Sequence, residues 1–196
     1  MKRIVLTGLA AAFLVVGVTV RAQTCDPQTL DDAPTSRYQL HADGTARDLR
    51  TGLMWMRCAM GQTWNAGSKS CEGVATAYTW QDALQAAQSF NQDSGFAGHT
   101  DWRVPNLREL MSIERYHCSD PAINLEVFPN TPSVVFWSST PLETFPTEVW
   151  TLNFGTSHVV ELSMQSQFAL RLVRSGAWPN VIPPPATAPD AATMVN

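Results

Sequence analysis

The chain has 196 residues, with 13 Lys and Arg against 17 Asp and Glu, a net charge of −4, and 44% hydrophobic residues. That acidic balance argues against a nucleic-acid partner, because phosphate backbones reward clustered cations. The length supports one domain with a core of its own.

In chain order, Met1-Lys2-Arg3 precedes the apolar run IVLTGLAAAFLVVGVTV, which ends at Val20-Arg21-Ala22. Basic start, apolar middle and small-residue end read as a secretory signal peptide, residues 1–22. The run approaches the ~20 residues that span a bilayer. Gly8, Gly17 and the small-residue end nevertheless favour cleavage over anchorage. Loss of Lys2, Arg3 and Arg21 leaves ten cations against 17 acids, so the mature chain is expected at net −7 without a membrane span.

Four cysteines follow: Cys25, Cys58, Cys71 and Cys118. An even number in an exported chain argues for two disulfides, among three possible pairings. No C-x-x-C and no zinc-spaced histidine pair occurs, which disfavours thioredoxin-like or metal chemistry. Cys58–Cys71 is expected as a local clip and Cys25–Cys118 as a long staple.

Residues 23–37 form a lead-in segment, 38–175 the folded domain and 176–196 a Pro-rich flexible tail. RYQLH and ARDLRTGLMWMRC read as strands joined by turns. Leu53 and Trp55 alternate with Met54 and Met56, as in a central strand buried on both faces. From Ala59 to Gly73 the chain is polar and rich in Gly and Ser, a surface loop. Thr79-Trp80-Gln81-Asp82 opens a helix, with Thr79 as cap and Trp80, Ala83, Leu84, Ala87 and Phe90 on one stripe. A shorter helix follows Asn106, where Glu109 completes a capping pattern and Leu107, Leu110 and Met111 face inward. SVVFWSS, EVWTLNF, HVVELS and FALRLVR then read as strands. Trp150, Leu152 and Phe154 are expected on one buried face. Phe168, Leu170 and Leu172 share a face, with Arg171 on the other. The order predicts an α+β fold, two helices packed on a mostly antiparallel sheet.

Six motifs occur in one order: DxxTGLMW from Asp48, CxxGQxW from Cys58, WxxA from Trp80, DWRVPNxxEL from Asp101, FWSS from Phe136 and RLVR from Arg171. Together they resemble the Lcl C-terminal domain family, whose namesake is the C-terminal module of a collagen-like bacterial adhesin. The resemblance covers roughly Tyr38 to Ser175 and implies an exported bacterial module, with glycan adhesion described for the namesake. A fainter similarity to the C-type-lectin-like superfamily implies that architecture. Two departures stand out. The acidic balance points away from capture of polyanions. Val104-Pro105-Asn106 and Phe128-Pro129-Asn130 also lack the carboxylate of the calcium-lectin motifs.

Two groups of residues are candidate sites. Asp101, Trp102, Arg103, Pro105, Asn106 and Glu109 each have a structural task, with Arg103 able to fork onto Glu109 or Asp101. They read as a rigid corner, with a ligand site as the competing reading. Gln62, Trp64 and Lys69 place an aromatic platform among amides and one cation, which suits stacking on a sugar ring. The competing reading of Trp64 is loop packing. Trp137-Ser138-Ser139 lacks the surroundings of a nucleophile. Asp31-Asp32 falls far short of a calcium shell.

The expected function is a non-catalytic exported recognition or adhesion module, in the periplasm or at the cell surface, binding a glycan or an envelope protein. The alternative is a structural accessory of a surface assembly such as a pilus; a hydrolase comes third. No cofactor, metal or nucleic acid is expected.

Overall fold

Short runs of two to seven residues, many of them ended by Gly, Pro or Asp, form the strands in the computed structural model, which describes residues 22–176. The expected signal segment up to Arg21 and the tail from Ala177 lie outside the described residues. Strands β1 (Thr24–Cys25), β2 (Tyr38–Leu40), β3 (Thr45–Asp48), β4 (Leu53–Met56), β5 (Thr63–Asn65), β6 (Ser70–Glu72) and β7 (Ala77–Tyr78) come first. Helices α1 (Trp80–Gln92) and α2 (Leu107–Ser112) follow. Then come β8 (Cys118–Ser119), β9 (Val135–Pro141), β10 (Glu148–Asn153), β11 (His158–Ser163), β12 (Phe168–Ala169) and β13 (Val173–Ser175).

Two sheets carry the fold, in the orders β13-β4-β3-β2 and β11-β10-β9-β12-β7; β1-β8 and β5-β6 are two-stranded ribbons. Pairing is antiparallel except between β12 and β9, where Ala169 meets Phe136 in parallel. This is the α+β class expected, with two helices and two disulfides. Cys25 joins Cys118 and Cys58 joins Cys71, the pairing read from the sequence. Two disulfides fit an oxidising compartment. No helix among the described residues is long and apolar enough to cross a membrane.

Strand β4 is central, flanked by β3 and β13. Leu53 and Trp55 enter one apolar cluster, with Tyr38, Leu110, Ile113, Phe128 and Phe136. Met54 and Met56 enter the other, with Ala83, Ala87, Trp102, Trp137 and Leu172. Burying a side chain as large as Trp55 contributes roughly 2–3 kcal/mol.

Three expectations are revised. In α1 the helix lies close to the sheet through buried Ala83 and Ala87, which leaves Leu84 at the margin, 36% exposed. In β10 the register shifts between Val149 and Thr151, so both of these are fully buried while Trp150 is only half-buried. FALRLVR is two strands: the chain leaves one sheet after Ala169 and enters the other at Val173. The crossing takes Leu170, Arg171 and Leu172 through the interior, so Arg171 is as fully buried as the two leucines on either side of it.

Candidate functional site

The stretch from Asp101 to Glu109 folds as a corner between the two sheets. Trp102 is buried; its Nε1 donates to the Phe96 carbonyl at 3.1 Å, and the Asn91 amide clamps its backbone at 3.0 and 2.7 Å. Arg103 pairs through its backbone with Val173. The buried Pro105 presents its carbonyl to the Ser139 N–H at 2.7 Å. Asn106 caps α2 in a reciprocal box: its side chain accepts from the Glu109 N–H, and Glu109 Oε2 accepts from the Asn106 N–H at 2.8 Å. Of the two carboxylates within sequence reach of Arg103, Glu109 takes it, through two hydrogen bonds of 2.7 and 2.6 Å. Asp101 turns instead to Arg174, 2.6 Å from its Nε. A concavity of about 450 Å³ lies against the corner, walled by Trp102, Arg103, Asn106 and Ser139. Its charges are already matched within the protein.

The loop closed by Cys58–Cys71 carries the ribbon β5-β6, in which Trp64 faces Cys71. Trp64 Nε1 donates to the Ala42 carbonyl at 2.8 Å, and the Arg57 guanidinium stacks 4.2 Å from its ring centre. Gly44, at φ +88°, abuts the ring so closely that a Cβ there would fall 2.5 Å from Trp64 Cγ. Lys69 sits at the ribbon turn with φ 52°. Trp64 and Lys69 share a concavity of about 510 Å³ with Leu40, His41, Ala42, Arg57, Ala66 and Glu126. Gln62 does not line this space: its Oε1 accepts from the Ala59 N–H and its Nε2 donates to the Asn130 carbonyl.

The electrostatics of this concavity rest on a residue that sequence reading passed over. Arg57 is 4% exposed and donates to the Val127 and Glu126 carbonyls, both at 2.8 Å. Neither Arg57 nor Lys69 has a carboxylate partner among the described residues. Burial pushes the Arg57 guanidinium below its ordinary value. The guanidinium is thus committed to two carbonyls and the Trp64 ring, and it adds positive charge to the wall of the concavity. The available signal was its place one residue before Cys58, where the clip fixes it.

Arg171 was also missed. It is fully buried, donates to the carbonyls of Met56 and Arg57 and to Thr131 Oγ1, and packs over Phe128 with 4.8 Å to the ring centre. Burial lowers its guanidinium to about 9. Its alternation with leucines puts it on the opposite strand face and gives no sign that the chain crosses the interior there. Of the FWSS serines, Ser138 is buried and donates to the Trp150 carbonyl at 2.6 Å.

No curated protein matches the chain. The family model described as the Lcl C-terminal domain matches residues 44–174, about two-thirds of the chain, from the turn before β3 to the middle of β13. The match takes in both sheets apart from the edge strand β2, together with the disulfide-closed loop and the Asp101–Glu109 corner, and the chain belongs to the Lcl C-terminal domain family.

Proposed function

We propose that this is a non-catalytic recognition or adhesion module of C-type-lectin-like architecture, exported to the periplasm or cell surface, which holds a glycan in the concavity at Trp64. The observation that carries the reading is the Arg57–Trp64–Lys69 arrangement: two cations free of carboxylate partners among the described residues, Arg57 stacked on the Trp64 ring and Lys69 lining the same concavity. A sugar needs an apolar surface for its C–H face and polar groups around its hydroxyls. Trp64, Leu40, Ala42 and Ala66 supply the first; Arg57, Lys69 and Glu126 supply the second.

Family membership supports a module of the kind found in adhesins. The two helices, antiparallel sheets and paired disulfides support the lectin-like architecture. The commitment of the Ser138 hydroxyl to a backbone carbonyl supports a role without catalysis. A glycan array probed with the mature chain tests the proposal. Binding should fall at least about tenfold in Lys69→Ala and Trp64→Ala, and survive in Trp64→Phe, which keeps a ring. Full binding by Trp64→Ala and Lys69→Ala with an unchanged circular dichroism spectrum would place the glycan elsewhere. Absence of any glycan signal, with capture of an envelope protein instead, would replace the ligand class.

A further inference from the structure

A second cluster lies at the end of the molecule stapled by Cys25–Cys118. Asp31 and Asp32 arrive from the lead-in segment, and His117 from the turn before β8. A carboxylate oxygen of each aspartate and a ring nitrogen of His117 all lie within 4.8 Å of one another. The His117 side chain is only 7% exposed, and its Nδ1 is buried with no hydrogen-bond partner. This nitrogen stands 3.8 Å from Asp32 Oδ1. That is too long for a hydrogen bond. Two ligand atoms bound tetrahedrally at about 2.0–2.1 Å stand about 3.4 Å apart, so the pair, at 3.8 Å, would close slightly onto an ion.

We propose that Asp31, Asp32 and His117 bind a divalent transition ion of the zinc class. A buried imidazole nitrogen left without a partner carries a desolvation cost, which coordination would remove. One nitrogen and two carboxylates suit zinc or nickel, whereas calcium and magnesium seek shells built of oxygen. Asp31 is oriented by Arg115, and Asp32 Oδ1 accepts from the Tyr116 N–H at 3.2 Å. Asp31 Oδ1 also accepts from the Ala33 N–H at 3.1 Å, so the oxygens left with a lone pair for an ion are Asp31 Oδ2 and those of Asp32. The two carboxylates outweigh the single charge of Arg115, so the pocket is anionic before an ion arrives. Sequence reading weighed Asp31-Asp32 only against a calcium shell, because His117 is distant in sequence and is brought in by the staple.

The test uses oxidised full-length mature protein, shown free of thiols, equilibrated with ZnCl2 and passed through gel filtration. One equivalent of zinc should remain. Asp32→Asn and His117→Gln should each weaken binding at least about tenfold while near-ultraviolet circular dichroism is unchanged. Should His117→Gln fail to fold, the part-exposed Asp32→Asn decides. Unaltered affinity in Asp32→Asn, displacement of zinc by an equal concentration of CaCl2, or uptake only after reduction to free thiols would each overturn the proposal.

Discussion

Arg103 and Glu109 meet as fork to fork, Nη1 to Oε2 at 2.7 Å and Nη2 to Oε1 at 2.6 Å, while the same carboxylate closes the cap of α2. Arg103→Ala should therefore lower stability by about 1–2 kcal/mol, allowing for the solvent that reaches its half-exposed guanidinium. Glu109→Ala should cost more, because it also opens the cap. Burial pushes the Glu109 carboxyl up, but Arg103 and the Asn106 N–H overcome this and hold it below its ordinary value. Its contribution is present above the ordinary glutamate value and is lost as pH falls through the lower folded value. Urea midpoints for the wild type and Arg103→Ala should converge in acid.

Glu114 has the opposite sign. It is 1% exposed, and burial raises its carboxyl although Ser157 and Tyr116 donate to it. A raised carboxyl favours the fold below the ordinary glutamate value and loses that contribution as pH climbs through the folded value. Glu114→Gln should thus stabilise the fold near neutral pH by on the order of 1 kcal/mol, seen as a higher thermal midpoint, and leave it nearly unchanged near pH 4. Scans at the two pH values read this directly. Equal gains at both would remove the electrostatic explanation.

Arg171 links three acceptors inside the protein, the carbonyls of Met56 and Arg57 and the hydroxyl of Thr131. Arg171→Met should destabilise by about 3 kcal/mol or more, since these acceptors lose their donor. Arg171→Lys should rescue little, because an ammonium does not reproduce the fork. Chemical denaturation of both variants gives the comparison; near-wild-type stability of the lysine variant would refute it.

Gly44 is pinned against Trp64 and occupies a left-handed backbone position. Gly44→Ala is expected to cost at least about 1–2 kcal/mol and to displace the indole. Tryptophan fluorescence would shift, and glycan binding at the Trp64 concavity would fall together with it.

Local chemistry accounts for what the sequence made legible. Thr79 and Asn106 cap their helices as read, because each signal lies within one turn of the residues it acts on. The alternating Leu53–Met56 stretch became a strand enclosed on both faces because its pattern states the burial of both. Trp64 and Lys69 were seen, and their loop is closed by the predicted clip. Arg57 and Arg171 were not, since most of their partners are carbonyls 69–70 and 114–115 residues away, and the one side-chain partner, Thr131, lies 40 residues from Arg171. Nor did alternation in FALRLVR reveal a change of sheet, because period two says which face is apolar and not which neighbour it meets.

That change of sheet binds the last strands of the domain to both halves of it. Removing residues 168–175 strips one strand from each sheet at once, so a product lacking them keeps neither sheet whole. Calorimetry should record one melting event, with no half-melted species. Wherever the chain folds, neither sheet reaches its final strand order until residues 168–175 have joined it.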